Sequence, residues 1–255
     1  MSGKENKLLW EIKKVDNYSE LIDPKTYHEI MREHLYIKET DNVIYDLILK
    51  RAKASSKKLK VCEIGAGTGA LTKLVANIEN IELIAIESDS RFFNILKDDD
   101  SFKKKNIKLI NQSFFDFEIG DIDIFYSMGV HHHIEKGEPT KLYLDKIYNL
   151  LKDDGLYILG DEFIPDYKNA KERTLNLIIW FSHIIEDARK KGNNLLAQEE
   201  ARTLYYDILG IEDYKNSLEE LELELKASNL KLNESIRKGP KDDIGALYTV
   251  LIKKK

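Results

Sequence analysis

The segment Glu63-Ile64-Gly65-Ala66-Gly67-Thr68-Gly69 concentrates more chemistry than any other stretch of this chain. Glycines in such a turn let the backbone approach a ligand and adopt conformations closed to other residues. The acidic residue that opens the segment matters as much. A carboxylate beside a glycine turn accepts a hydrogen bond from an ammonium group, and it would repel a pyrophosphate. The spacing is Gly-x-Gly-x-Gly, which departs from the Gly-x-Gly-x-x-Gly fingerprint of dinucleotide sites. About twenty residues further on, Glu87 stands where a carboxylate chelates two ribose hydroxyls. A second cluster is Ser127-Met128-Gly129-Val130-His131-His132-His133. A histidine here suits orienting or deprotonating a substrate. Adjacent residues point in different directions, so the three histidines are not expected to share one ion. Asp161 and Glu162 would have to complete any such site with His131 or His133. The reading therefore assigns no metal.

The elements that hold these residues follow from the hydrophobic rhythm. Residues 4–55 read as helical, with Asp23-Pro24 as N-cap and first helical residue. Tyr27, Ile30, Met31, His34 and Lys38 recur at helical spacing, and a second helix is expected from Asp41, with Val43, Ile44, Leu47 and Ile48 inward. From Leu59 short apolar runs alternate with helices. Strands are expected at 59–64, 81–87, 107–111, 122–127 and 156–164, with helices near 70–78, 91–96 and 140–151. Little room is left for a helix between the third and fourth strands. Strands separated by single helices mean right-handed crossovers and a parallel sheet. Residues 166–229 break the alternation with a long amphipathic helix, a second from Asn193 to Leu209 and a third capped by Ser217 and Glu220. Strands at 231–238 and 246–253, joined by a turn-like Lys238–Asp243, close the chain as a hairpin.

The pattern Glu-x-Gly-x-Gly-x-Gly, followed by an acid after the second strand, resembles the class I S-adenosylmethionine-dependent methyltransferases. The resemblance covers residues 59–164 and extends more loosely to the hairpin. It implies an α/β, doubly wound, mostly parallel seven-stranded sheet of Rossmann-like type, with an antiparallel C-terminal hairpin and a helical cap. It implies S-adenosylmethionine as cofactor. Gly65, Gly67 and Gly69 would wrap its methionine part, Glu63 would act near its amino group, and Glu87 would bind the ribose. Ala66, Ser88, Met128 and Gly129 belong to the same implied set. After the third strand the family places an acid near the adenine amine. This chain has Ser113 there, with Phe114 as an apolar wall and Asp116 as the alternative acid. Ser127–Ile134 resembles the Val-Leu-His-His segment of small-molecule members, not the Asn-Pro-Pro-Tyr-type loop of enzymes that methylate adenine or amide nitrogen. His131 and His132 are the candidate catalytic residues.

Three units are expected: residues 1–55 as an N-terminal helical cap, 56–165 with 230–255 as the cofactor-binding domain, and 166–229 as an inserted substrate cap. Tyr27, Met31 and His34 would line the substrate pocket from one side. A polar stripe of Asn176, Trp180, His183 and Asp187 would line it from the other, with Asp161 at the end of the fifth strand. The expected activity is methyl transfer to a small molecule, as in secondary metabolism, with the O-, N- or C-nucleophile open. The alternatives are a peptide, protein or RNA acceptor, contacted through Lys103, Lys104, Lys105 and Lys108, and a catalytically inactive binding partner. Composition constrains the partners further. With 40 basic and 45 acidic residues and a net charge of −5, a general polyanion-binding surface is not expected. The single Cys62 leaves no internal disulfide and no cysteine-based zinc site. No apolar run approaches the roughly 20 residues of a membrane span, and the first residues carry no apolar signal core. A cytoplasmic, soluble protein is expected. The oligomeric state is not legible.

Overall fold

The computed structural model describes residues 14–15, 17–102 and 107–255. The expected helix before Lys14 and the lysines Lys103 to Lys105 lie outside those residues. Seven strands form one sheet: β1 (Leu59–Ile64), β2 (Ile81–Glu87), β3 (Ile107–Asn111), β4 (Ile122–Met128), β5 (Leu151–Phe163), β6 (Leu230–Lys238) and β7 (Ala246–Lys254). Their order is β3-β2-β1-β4-β5-β7-β6. The first five pair in parallel, and β7 runs antiparallel between β5 and β6. The chain reverses direction across the sheet between β1 and β4, the place where open α/β sheets bind ligands at their carboxyl ends.

Among the described residues eight α-helices surround the sheet: α1 (Pro24–Met31), α2 (Ile37–Ala54), α3 (Ala70–Val75), α4 (Ser90–Asp98), α5 (Glu138–Leu150), α6 (Ala170–Lys190), α7 (Asn194–Leu209) and α8 (Leu218–Ala227). Both faces of the parallel region are covered, which is why its strands read as nearly unbroken apolar runs. On one face Ile44, Ile48 and Ala52 of α2 and Leu71 and Val75 of α3 pack on Val61, Leu83 and Ile124. On the other, Leu144 and Ile147 of α5 and Leu221 and Leu225 of α8 pack on Cys62, Ile84 and Phe125. A single 3-10 turn, Phe114–Asp116, fills the short link between β3 and β4.

Several boundaries differ from the expectation for identifiable reasons. Asp23 does cap α1, accepting from the amides of Lys25 and Thr26, but α1 ends at Met31. His34 and Lys38 therefore do not share its face. Tyr36, at φ 65°, starts α2 at Ile37 instead of Asp41. β5 starts at Leu151, so Gly155 lies inside the strand. The pairing register shifts there, from Ile122 opposite Leu151 to Ile124 opposite Leu156. A Cβ on Gly155 would stand 2.8 Å from the Lys152 carbonyl oxygen.

The unit boundaries also need correction. α2 lies within the expected N-terminal cap and α8 within the expected insertion, yet both are sheet-covering layers, because their apolar faces are fully buried against the strands. α4 packs Leu96 on Ala85 in a smaller cluster of its own, and α1, α6 and α7 lie apart from the two sheet cores. Leu177, Trp180, Phe181 and Ile184 of α6 pack on Ile164 and Leu247 at the sheet rim. Ala188, Leu196 and Ala197 pack on Ile22 and Ile30. No helix among the described residues is long and apolar enough to cross a membrane.

This division predicts a contrast in stability. Leu225→Ala should cost about 2–5 kcal/mol, the usual range for truncating a buried leucine. Leu175→Ala, on the exposed face of α6, should stay within about 0.5 kcal/mol. Denaturant unfolding of both variants checks this. Equal, small effects would mean that α8 is not part of the core.

Candidate active site

Strand ends β1, β2, β4 and β5 deliver Glu63, Glu87, Met128 and Asp161 to one rim of the sheet. Two compartments lie over that rim and share Tyr27, Met31, Ile37, Met128 and Gly129.

The first compartment is built by the glycine turn. Gly65 has φ +70°, and a Cβ there would sit 2.5 Å from Val130 Cγ2, so only glycine fits between β1 and the turn after β4. Gly67 has open space where a Cβ would be, and its N–H donates to Glu87 Oε2 at 2.7 Å. Glu87 Oε1 accepts from the Asp89 amide at 2.8 Å. Glu63 is buried and accepts from Thr72 Oγ1 at 2.5 Å and Tyr126 Oη at 2.9 Å. Burial pushes its pKa up to about 8 against the pull of those two hydroxyls. Asp41, from α2, lines the same compartment with a buried Oδ1 that has no hydrogen-bond partner. Burial pushes its pKa up to about 7. Among the described residues, buried Glu63 and half-buried Asp41 have no cation in salt-bridge contact, although Arg32 and Lys38 line the same compartment, and the pair beside an open glycine turn fits a ligand that brings an ammonium group.

Not every expected cofactor residue reaches this space. Ala66 lines it. Gly69 does not: a Cβ there would stand 2.5 Å from Leu96 Cδ1 and 3.3 Å from Phe102, so this glycine seats α3 against α4. Ser88 is exposed beyond β2, where its carbonyl accepts from Asn111 Nδ2 at 3.2 Å. Ser113 caps the 3-10 turn through the Phe115 amide. Phe114 is buried 5.2 Å from Tyr143 and 5.7 Å from Phe125, so its ring is core and not a pocket wall.

The second compartment is polar and charged. The 3-10 turn His131–His133 splits its three side chains. His131 points away, under α5 and α8, where Nε2 meets Glu224 Oε2 at 2.9 Å. It does not line either compartment, which removes it from the reacting region. His132 does line the second. Its Nδ1 hydrogen-bonds Asp161, and its amide donates to Asp161 Oδ2 at 3.2 Å. Burial alone would lower the His132 pKa, but the Asp161 carboxylate outweighs it and raises the pKa to about 9. His133 turns the same way as His132, with the two Nε2 atoms 3.1 Å apart. Adjacent histidines thus converge here, because the Asp161 carboxylate anchors one ring and the Glu212 carbonyl the other, against the usual divergence.

Five further groups meet in this compartment: His34, Glu162, Glu200, Asp213 and Lys215. His34 reaches Glu162 at 3.2 Å and Glu200 at 3.4 Å. Burial would lower its pKa, but those carboxylates raise it to about 10. Lys215 contacts Asp213 at 3.0 Å and Glu162 at 3.2 Å. Asp161 supports His132 from behind without lining the space. Trp180 is likewise fully buried and donates its Nε1–H to Glu162 at 3.3 Å. It belongs to the apolar face of α6 and not to a polar stripe. His183 stacks 6.0 Å from Trp180 and lies 3.3 Å from the Tyr36 hydroxyl, outside both compartments. Asn176 and Asp187 bond to Pro165 and Lys191, away from the compartments. Sequence reasoning missed Asp41, Glu200, Asp213 and Lys215. Asp213 and Lys215 lie in the connector between α7 and α8, where no local pattern marks them. That connector is tied to the histidine turn by the Tyr214 amide, which donates to the His132 carbonyl at 2.7 Å.

Comparison with known proteins agrees with this geometry. The family model of ribosomal RNA adenine dimethylases matches residues 12–136. An uncharacterised methyltransferase of Oceanobacillus iheyensis is 29% identical over 167 residues, 65% of this chain and 70% of that protein. The solved structure of a mitomycin 7-O-methyltransferase aligns with a TM-score of 0.56 at 15% identity, over 78% of this chain and 49% of its own. A mycolic acid cyclopropane synthase, solved with S-adenosylhomocysteine, aligns with a TM-score of 0.56 at 14% identity, over 80% and 68%. At such identities the two structures speak for the fold, and this chain spans only about half of the first. With the acid-preceded glycine turn, the carboxylate ending β2 and the strand order 3-2-1-4-5-7-6, these matches support the reading of the chain as a class I S-adenosylmethionine-dependent methyltransferase, which it resembles in fold and in its glycine turn.

Proposed function

We propose that the protein transfers a methyl group from S-adenosylmethionine to a small polar molecule, a metabolite of secondary or intermediary metabolism, in the cytoplasm. One observation carries this reading: a compartment lined by buried charged groups opens onto the cofactor cleft at Met128 and Gly129. In this reading α1, α6 and α7 form the substrate cap.

The residue roles follow from the geometry. Glu63 and Asp41 receive the cofactor's ammonium group, and the Gly65–Gly67 turn passes along its methionine part. Glu87 keeps lone pairs for the ribose hydroxyls after accepting two backbone N–H bonds. The sulfonium supplies an electrophilic methyl group. The chain has to hold the acceptor in line with the S–CH₃ bond and exclude water. Tyr27 and Met31 line both compartments, and His34, Glu162 and Lys215 orient polar groups of the acceptor. In the displacement the acceptor's lone pair forms the new bond to carbon, and the S–C bond electrons return to sulfur. The acceptor's proton passes to the imidazole of His132 in its neutral form, which Asp161 holds in place and which becomes the main form only as pH approaches 9.

A second reading is methyl transfer to RNA. The match to ribosomal RNA adenine dimethylases over residues 12–136 favours it. Against it, the end of β4 and the turn after it read Ser127-Met128-Gly129-Val130-His131, without an Asn-Pro-Pro-Tyr-type sequence. The acceptor compartment is also lined by Glu162, Glu199, Glu200 and Asp213, which repel a phosphate backbone. Incubation with a labelled methyl donor and separated small-molecule, RNA and protein fractions decides. Label confined to RNA would overturn the small-molecule reading.

Two predictions test the residue roles. Glu63 is largely protonated near neutral pH, because its folded pKa is raised to about 8. An ammonium ligand needs the carboxylate, so cofactor binding should release a proton and tighten as pH rises towards 8. Stability runs the opposite way: the raised carboxylate pKa favours the folded protein at low pH, and that contribution is lost as pH rises from the ordinary value of 4.5 to about 8. Calorimetry in buffers of different ionisation enthalpy reads the proton directly. Glu63→Gln and Glu87→Ala should each weaken binding by about 1.5–3 kcal/mol, and unchanged affinity for either would remove its assignment. His132→Ala should cut turnover by roughly 10²–10⁴-fold with cofactor affinity retained. His131→Ala should instead lower stability by about 1–3 kcal/mol and leave turnover largely intact. The opposite pattern would return His131 to the reaction.

A further inference from the structure

We propose that His132, His133 and Asp213 form a binding site for one divalent transition-metal ion of the zinc type, facing the acceptor compartment. One ligand atom from each residue lies within 4.8 Å of the other two. The two imidazole Nε2 atoms are 3.1 Å apart. Zn–N distances of about 2.0–2.1 Å place two nitrogens on one tetrahedral ion roughly 3.3 Å apart, so almost no movement is needed.

The outer partners of both rings point to the same arrangement. A metal-binding histidine donates its other ring N–H to a carboxylate or backbone carbonyl, which fixes the tautomer and aims the free nitrogen. His132 Nδ1 meets the Asp161 carboxylate. His133 Nδ1 meets the Glu212 carbonyl at 2.8 Å. The two Nε2 atoms thereby face each other, and an ion would take the place of the proton shared between them. The Tyr214 amide bond to the His132 carbonyl locks the Asp213 connector to the histidine turn. Lys215 holds Asp213 through Oδ1 at 3.0 Å and Oδ2 at 3.2 Å. A carboxylate offers about four lone-pair sites, so it accepts from Lys215 and still has capacity for an ion.

Charge supports a divalent occupant. Asp161, Glu162, Glu200 and Asp213 converge here, and Lys215 with a protonated His34 balances two of the four. Glu199 is paired with Arg202. Once an ion has displaced the ring proton that His132 carries beside Asp161, a doubly charged cation matches the remaining pair of carboxylates. Two nitrogens and one oxygen are a borderline donor set that suits zinc over magnesium or calcium. Three protein ligands leave a fourth position open, as in sites that bind a substrate group. Met128, Gly129, His132, His133 and Asp213 all line the same compartment, so that position faces the place assigned above to the acceptor. The ion would hold an acceptor oxygen, nitrogen or sulfur there, and it would occupy the His132 nitrogen otherwise free to take a proton. This role rests on the acceptor-compartment reading, whereas the binding of the ion does not.

The test uses the full chain, stripped of metal with a chelator and titrated with Co²⁺ and then Zn²⁺. Visible absorption of bound cobalt reports the ligand field, elemental analysis the stoichiometry, and calorimetry the affinity. One equivalent of Co²⁺ should bind with bands of tetrahedral intensity and be displaced by Zn²⁺. His133→Ala and Asp213→Asn should abolish the bands. Asp161→Asn, an outer partner, should weaken affinity by roughly 10–100-fold. Thermal unfolding and S-adenosylmethionine binding of each variant show whether it is folded. A folded His133→Ala protein that binds cobalt like the wild type overturns the site, as does a wild type that binds the cofactor but no stoichiometric ion. Cobalt bands in a protein that binds no S-adenosylmethionine would support the site while sinking the methyltransferase reading.

Discussion

Negative charge buried at the carboxyl ends of parallel strands is the constraint on which the site is built. Strands β1, β2 and β5 end in Glu63, Glu87 and the pair Asp161–Glu162. An ionised side chain removed from water costs several kcal/mol unless partners replace its hydration. Each of these groups accordingly has partners supplied by elements far away in sequence. Thr72 of α3 and Tyr126 of β4 serve Glu63. The turn amides of Gly67 and Asp89 serve Glu87. His132 serves Asp161, and Lys215, His34 and Trp180 converge on Glu162.

The two compartments satisfy this constraint in different ways, and the difference matches their proposed duties. On the cofactor side the donors are neutral hydroxyls and amides. Burial then dominates, and the pKa values of Glu63, Asp41 and Glu87 rise. Such carboxylates gain most from a ligand that brings its own positive charge. On the acceptor side cations are already in place. Glu162, which burial alone would raise, is held well below the usual carboxylate range by Lys215 and His34. That space is therefore a fixed pattern of charge, suited to orienting polar groups of an acceptor.

Capping serves the same end. α1 and α2 contribute Met31 and Ile37 to the shared wall, while α7 carries Glu200 and the connector after it carries Asp213 and Lys215. α6 contributes little to the lining. It packs Trp180 and Phe181 beneath the site, where Phe181 also lies 4.6 Å from the Lys215 ammonium. The insertion thus builds the floor of the acceptor space through its apolar face and the walls through its connector.

Much of the fold was legible in the chain itself, because strand and helix periods differ and the parallel strands are buried on both faces. β1, β2 and β3 have the bounds that their apolar runs indicate, and the capping box at Ser217 and Glu220 starts α8 as read. The glycine turn and Glu87 were legible for a related reason: they are local, and their spacing is set by one strand–turn–helix unit. What tertiary structure decided is everything that depends on direction. Whether α2 and α8 cap the site or cover the sheet depends on which surfaces their apolar stripes meet. His131 and His132 are neighbours in sequence, yet one faces Glu224 under the sheet and the other Asp161 at the site, because a 3-10 turn rotates successive side chains apart while an anchor holds one of them. Asp41, Glu200, Asp213 and Lys215 carry no local signature at all. Their meaning comes from the partners that folding places beside them, since a charge is only a surface residue until burial removes the water around it.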